Sequence, residues 1–196
     1  MKHEITSLQT KKMLSAELKA LMEKKALSKI TVSEIITNCG VNRKTFYYHF
    51  TDIQELLKWT LDQEAVEIVK NFDLILDSEE AILFVLKYVE ENKHILNCAY
   101  DSIGRDELRR FFNHDFNDII MRLVVNVEKM LGTHNSEDYK QFLCDFYTGA
   151  IANKLIDIFR SREPYDKELL VKYATSTIKR GLTATLDDRY EEQMKI

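Results

Sequence analysis

An all-α fold is expected from three features of the 196-residue chain. A single proline and five glycines leave few helix breakers, 45% of the residues are apolar, and the apolar residues recur at spacings of three and four between capping residues. The expected architecture is a three-helix N-terminal unit with a helix-turn-helix over residues 1–60, followed by a larger helical domain over residues 61–196. The length admits one or two domains with a substantial core. No apolar run approaches a membrane span and no secretory signal stands out. Three widely separated cysteines, Cys39, Cys98 and Cys144, fit reduced thiols in a cytoplasm.

The first helix is expected over residues ~7–26, with Leu8, Met13, Leu14, Leu18, Leu21 and Met22 on one side. The next begins at Thr31, which stands three residues before Glu34 in a capping box. Val32, Ile35 and Ile36 give it an apolar stripe, and Asn38-Cys39-Gly40 ends it, Gly40 supplying a left-handed backbone. Val41 turns inward, Asn42 caps, and residues 43–50 form a third helix on which Phe46 and Phe50, at i and i+4, share the inner face.

Outward, this third helix offers Arg43, Lys44, Thr45, Tyr47, Tyr48 and His49, all hydrogen-bond donors in a suitable protonation state, and no carboxylate lies between Glu34 and Asp52. Such a face suits a polyanion: arginine and lysine reach guanine edges in the major groove, while hydroxyls, imidazole and the helix N-terminus hold phosphates. The alternative is a plain surface helix anchored by Phe46 and Phe50. Charge is split along the chain. Residues 1–60 carry ten Lys and Arg against six Asp and Glu, the remainder eighteen against twenty-six, so a basic head precedes an acidic body although the net charge is −4. Lys11, Lys12, Lys24, Lys25 and Lys29 add to that field.

The run Val41 to Phe50, with Thr31-Val32-x-x-Ile35 ahead and Glu55-Leu56-Leu57 behind, resembles the N-terminal domain of TetR-family transcriptional regulators. Asn42 replaces the usual serine cap, Lys44 a common small residue and Ile36 an alanine; Ile53 stands where the family often has a phosphate-contacting lysine. The resemblance implies DNA contacts from Thr31, Asn42, Arg43, Lys44, Thr45, Tyr47, Tyr48 and His49. It also implies a homodimer that places two heads on a near-palindromic operator of double-stranded DNA; a repressor is the expected sign of regulation, with an activator as the alternative.

After Asp52-x-x-Glu55, a further cap, a helix is expected over residues ~52–72 through Leu56, Leu57, Leu61, Ala65, Ile68 and Val69, bridging head and body without a flexible linker. Helices at ~78–91, ~93–101, ~104–131, ~136–161 and ~166–188 follow, with Ser136 and Asp166 as caps. The helix at ~136–161 is apolar most of the way round. Phe142, Phe146, Gly149, Ala150 and Asn153 on it, with Tyr173 and Thr177 on the last helix, are the expected dimer face; the alternative is that both helices lie in a monomer core.

Aromatic residues on the body helices, Phe84, Tyr88, Tyr100, Phe111, Phe116 and Phe146, are the expected walls of an effector pocket, with core packing as the alternative. The body resembles the dihydroxyacetone kinase activator subgroup of the family, where the effector arrives through a protein partner, so a small molecule or a protein coactivator is expected, with an empty or absent pocket as the alternative. No catalytic, cofactor or metal constellation is expected: there is no phosphate loop, nucleophile elbow or paired CxxC. His94 and Cys98, at i and i+4, make only half a metal site. Cys39 beside the third helix would sense oxidants only if exposed and acidic. A helical protein-interaction module without sequence-specific DNA binding is the alternative function.

Overall fold

The computed structural model describes residues 2–66 and 69–187, apart from the side chains of 2–5 and 115, and among them there are helices and turns but no strand. Helix α1 covers Lys2–Met22, a 3₁₀ turn Leu27–Lys29, α2 Val32–Cys39, α3 Arg43–His49 and α4 Ile53–Leu61, and a π-helical turn follows over Asp62–Val66. Then come α5 (Ser78–Glu91), α6 (Lys93–Ile103), α7 (Arg105–Leu131), α8 (Glu137–Arg160) and α9 (Lys167–Leu186). The expected caps set these boundaries. Asp52 accepts from Glu55 N at 2.8 Å, Ser136 from Tyr139 N at 3.2 Å and Asp166 from Leu169 N at 2.9 Å, each satisfying an N–H that the helix itself leaves open.

One expected element differs. The helix expected over residues ~52–72 is not one regular α-helix: α4 ends at Leu61, the π turn follows, Val69 is helical again with Lys70 N donating to Val66 O at 3.0 Å, and turns take over through residues 70–76; Ile68 lies outside the described residues. Asp73, whose carboxylate accepts from Ile75 N at 3.0 Å, holds one of these turns in place of a helical continuation.

Two compact units result, and they do not simply follow chain order. The first gathers Met1–Ala65 and Asn92–Leu108, the second Val66–Glu91 and Arg109–Ile196. In the first, α1 packs on α2, α4 and α6 around Leu14, Leu18, Met22, Ile35, Phe46, Leu56 and Leu57, all essentially inaccessible to solvent. In the second, α5 packs on α8 and α9. A core of Ile120, Leu123, Val124, Val127, Leu143, Cys144, Tyr147, Leu182 and Leu186 joins α7, α8 and α9. A buried ion pair lies close by: Lys140 Nζ meets Glu128 Oε2 at 3.2 Å, and the other Glu128 oxygen accepts from Asn135 N at 2.7 Å, tying the α7–α8 turn to both helices.

Gly181 on α9 is required by this core, because a Cβ there would overlap the hydroxyl of the buried Tyr147. Gly181→Ala is therefore expected to cost about 1–3 kcal/mol through overpacking, reduced by the ~1 kcal/mol that alanine contributes within a helix. Tyr147→Phe in the same chain should restore most of the loss. Urea unfolding of the single and double variants measures both effects.

Candidate nucleic-acid interface

The reading helix is built from its cap. Asn42 Oδ1 accepts from Thr45 N at 2.8 Å and from Thr45 Oγ1 at 3.1 Å, which starts α3 at Arg43 and rotates Phe46 and Phe50 inward. Phe46 is fully buried and packs tilted on Phe50 at 6.1 Å between ring centroids. The opposite surface then exposes Arg43, Lys44, Tyr47 and Tyr48, the last 73% accessible, while Thr45 and His49 are half-buried. Arg43 lies over the Tyr47 ring at 5.7 Å and donates to its hydroxyl at 3.4 Å, a contact that fixes both side chains on the same side of α3.

In the preceding turn Thr31 and Glu34 complete the capping box: Thr31 Oγ1 accepts from Glu34 N at 3.3 Å, and Glu34 Oε2 accepts from Thr31 N at 2.9 Å. Lys25 also donates to Glu34, and this bond, ahead of those from Thr31, holds the carboxyl down to about 2. Gly40 adopts φ 65°, the left-handed conformation expected of it. Of the eight residues expected to contact DNA, seven thus lie on α3 or its cap, and Thr31 begins the helix that packs on it. The hydroxyls of Thr31 and Thr45 are engaged in capping, so donors free of such duty are concentrated at Arg43, Lys44, Tyr48 and the Tyr47 phenol.

Sequence reasoning missed the buttress under this surface. Helix α6 belongs to the same compact unit, with His94 Nε2 3.0 Å from Met22 O and Cys98 Sγ accepting from Leu27 N at 3.2 Å. The pair that looked like half a metal site in the sequence therefore braces the α1–α2 connection. Lys19 adds a cross-link, donating to Glu64 at 2.7 Å and to Asn92 at 2.9 Å, and Lys58 pairs with Glu107 at 2.8 Å. Only the i, i+4 spacing of His94 and Cys98 carried a trace of this in the sequence. Lys11 is also engaged, sitting over the rings of Phe50 and Trp59 at 5.6 and 5.7 Å. Cys39 is half-buried and donates to Met13 O at 3.6 Å; burial, then the nearby Glu17, pushes its thiol up, which removes the acidity that oxidant sensing needs. Ile53 is half-buried as the first residue of α4.

In the second unit, a cavity of about 140 Å³ opens between α5, α7, α8 and α9. Its walls are largely aliphatic, unlike the aromatic pocket expected from sequence. Of the six residues named for it only Phe116 reaches the cavity. Phe84 packs on Phe72 at 6.2 Å, Phe111 is buried against Phe112 at 5.6 Å, Tyr100 belongs to the other unit, Tyr88 is half-buried away from the cavity wall, and Phe146 points outward at 60% exposure. Phe142 is also 60% exposed and continues a near-parallel ladder from Tyr139, with centroid spacings of 6.4 and 6.3 Å along Tyr139, Phe142 and Phe146. Ala150 is exposed and Gly149 half-buried on the same helix, and Asn153 donates to Gly149 O at 2.9 Å. Tyr173 and Thr177 are exposed one turn apart on α9.

Two family models match this chain. Residues 16–58 match the bacterial regulatory proteins of the tetR family, and residues 77–180 match a transcriptional regulator C-terminal region of the same family. The chain belongs to the TetR family of transcriptional regulators. Members of this family bind DNA and are not enzymes. Among its relatives, the HTH-type dhaKLM operon transcriptional activator DhaS of Lactococcus lactis is 26% identical over 74% of this chain and 76% of its own. The HTH-type transcriptional regulator YxbF of Bacillus subtilis is 31% identical over 45% of this chain and 22% of its own. A solved structure of a dihydroxyacetone kinase operon activator DhaS shares the fold with a TM-score of 0.64 at 24% identity, covering 90% of this chain and 96% of the other. Among the described residues no helix is long and apolar enough to cross a membrane.

Within this TetR-type head, burial, followed by the charge of Lys11, pushes the imidazole of His49 below its ordinary 6.5. The folded state therefore binds that proton less readily than the unfolded chain, so His49 favours folding above pH 6.5 and this contribution falls as the pH drops through the window below. Urea unfolding followed by Trp59, the one tryptophan and a ring neighbour of Phe50 at 5.8 Å, should show the head losing stability below pH 6.5. His49→Gln is expected to flatten that part of the pH dependence.

Proposed function

We propose that this TetR-family regulator is a homodimer that binds a near-palindromic operator through α3 and acts as a repressor, its body switched by a small ligand or a protein partner. Residues 1–60 serve as the DNA-binding domain and 61–196 as the regulatory and dimerisation domain. The observation that carries the reading is the surface of α3: Arg43, Lys44, Tyr47 and Tyr48 exposed together beside a carboxylate-free stretch from residue 35 to 51. Arg43 and Lys44, in the first turn, are placed to read base edges, while Tyr47, Tyr48, His49 and the capped helix end hold phosphates. Because Ile53 offers no cation, the phosphate grip rests more heavily on these groups. A cytoplasmic setting accords with a DNA-binding role.

The dimer rests on the exposed faces of the last two helices. Phe142, Phe146, Gly149, Ala150 and Asn153 fall at i, i+4, i+7, i+8 and i+11 along α8, and Tyr173 and Thr177 at i and i+4 along α9. Two stacked phenylalanines exposed to water favour a partner surface, and a copy of the same helices supplies one by two-fold symmetry. The similarity to a Lactococcus lactis protein named as an operon activator favours a second reading, in which the same head recruits transcription instead of blocking it. A promoter reporter with the operator moved across the start site separates the two signs.

Selection of duplexes from a random pool should return half-sites about one helical turn apart or slightly more. Arg43→Ala should weaken binding to the selected duplex by about 1–3 kcal/mol and relax preference at one base pair, whereas a pool with no enriched sequence would leave the interaction-module reading standing. Phe142→Glu with Phe146→Glu should give a folded monomer by sedimentation. Retention of a dimer in that double variant would remove α8 from the interface.

A further inference from the structure

We propose that Tyr47 is the positioning residue for Arg43, holding its guanidinium so that one fork of N–H donors is presented to a guanine in each operator half-site. The proposal rests on the reading of α3 as the DNA-contacting helix, and it adds which side chain selects, for which base, and what aims it.

Tyr47 is anchored from the core outward. Its chain neighbour Phe46 is fully buried, and the Tyr47 ring meets it edge-on, with centroids 5.5 Å apart and an interplanar angle of 84°. Tyr47 is nevertheless 48% exposed, so it links the core to the surface of α3. Arg43, one turn earlier on the same face, lies over the ring at 5.7 Å and donates from Nη2 to the phenol oxygen at 3.4 Å. An arginine loose on a helix surface samples many rotamers, and the freedom it loses on meeting DNA opposes binding. Two contacts to a side chain that the core already holds remove part of that freedom beforehand. Lys44, exposed and without a hydrogen bond or ion pair among the described residues, has no such guide.

Counting donors gives the base. A guanidinium has two forks, Nε with Nη2 and Nη1 with Nη2, and Nη2 belongs to both. Whichever of its hydrogens Nη2 gives to Tyr47, one fork is used and the other stays whole. Arg43 therefore has a single two-donor edge left to offer. In the major groove guanine answers it with two acceptors, O6 and N7, whereas adenine sets a donor beside its acceptor, cytosine shows a donor, and thymine has one acceptor beside a methyl group. Arg43 is the first residue of α3, and the N-terminal residues of a reading helix are those that reach base edges. The Tyr47 hydroxyl accepts from Arg43 and keeps its own hydrogen for a phosphate. Backbone grip and base selection then meet in one side chain.

The test uses the full chain and a duplex that it selects from a random pool. The position at which Arg43→Ala relaxes selection marks the base pair that Arg43 reads, and a G·C pair is expected there. Affinity is then compared between the selected duplex and one carrying A·T at that position in both half-sites. Tyr47→Leu should lower the preference for guanine by about fivefold per half-site, and Tyr47→Phe, which keeps the ring and loses the hydroxyl, by about twofold. In an Arg43→Ala background neither substitution should change the preference; in a Lys44→Ala background both should keep their full effect. A base pair other than G·C overturns the proposal. So does equal weakening of both duplexes by Tyr47→Leu, the mark of a phosphate contact alone, or an undiminished effect of Tyr47→Leu on preference when Arg43 is absent. Tyr47→Phe removes a single oxygen, so if Tyr47→Leu does not fold, the phenylalanine variant decides by the same comparison. A pool from which the unmodified chain enriches no sequence overturns the DNA reading and this proposal together, whereas an enriched operator whose base preference ignores Tyr47 overturns the positioning role alone.

Discussion

The cap that Asn42 places on α3 is the constraint on which the reading surface depends. Helix α3 has seven residues, far fewer than an isolated helix needs to persist in water, so nothing intrinsic to Arg43–His49 keeps it formed. One carboxamide oxygen holding both Thr45 N and Thr45 Oγ1 fixes the first turn. Burial of Phe46 and Phe50 fixes the last. Between these two anchors the helix has one rotation available to it, and that rotation puts Arg43, Lys44 and Tyr48 in water. A helix displaced by one residue would turn its face by about 100°, sending Tyr47 toward the core and Phe46 toward solvent. Cap and core therefore specify the same register from opposite ends.

The capping box one helix earlier acts on the same problem. Thr31 and Glu34 satisfy one another, Lys25 satisfies Glu34 further, and the ion pair is spent on geometry and not on contact with a partner. Lys11, over two aromatic rings, is used likewise. The lysine count of residues 1–60 thus overstates the charge free to meet a polyanion, which sharpens the importance of Arg43 and Lys44. The α6 contacts at Met22 and Leu27 complete the support, holding the connection from which α2 departs.

What was legible in the sequence was local. Thr31-x-x-Glu34, Gly40, Asn42, Asp52, Ser136 and Asp166 each act over three or four residues, and each was found where its pattern placed it. The body helices were legible for the same reason, through periodicity and breaks. The cavity was not. Its walls come from α5, α7, α8 and α9, and nothing in one helix states that Ile82 and Ile178 will face a common space. The size of an aromatic residue is easy to see in a sequence, while its direction along a nearly all-round apolar helix is not: on α8, Tyr147 turns inward and its neighbour Phe146 outward. The bridging helix was legible through the helical spacing of Leu61, Ala65 and Val69, whereas the change to a π turn over Asp62–Val66 inside it was not.

Energetics limits what a small ligand of the proposed regulatory body can do by itself. A ligand shifts an equilibrium only by the difference in its affinity for the two states, and a state held at one part in a hundred needs about 5.5 kcal/mol to become dominant. A small ligand bound at millimolar strength carries about 4 kcal/mol in total, and some of that is retained in both states. It can tune operator affinity many-fold, but it can overturn a one-in-a-hundred equilibrium only if the free protein is already poised nearer balance. A protein partner, burying far more surface, faces no such ceiling. The two kinds of effector proposed for the body are therefore unequal in power, and a small ligand suffices only where the two states already lie close in free energy.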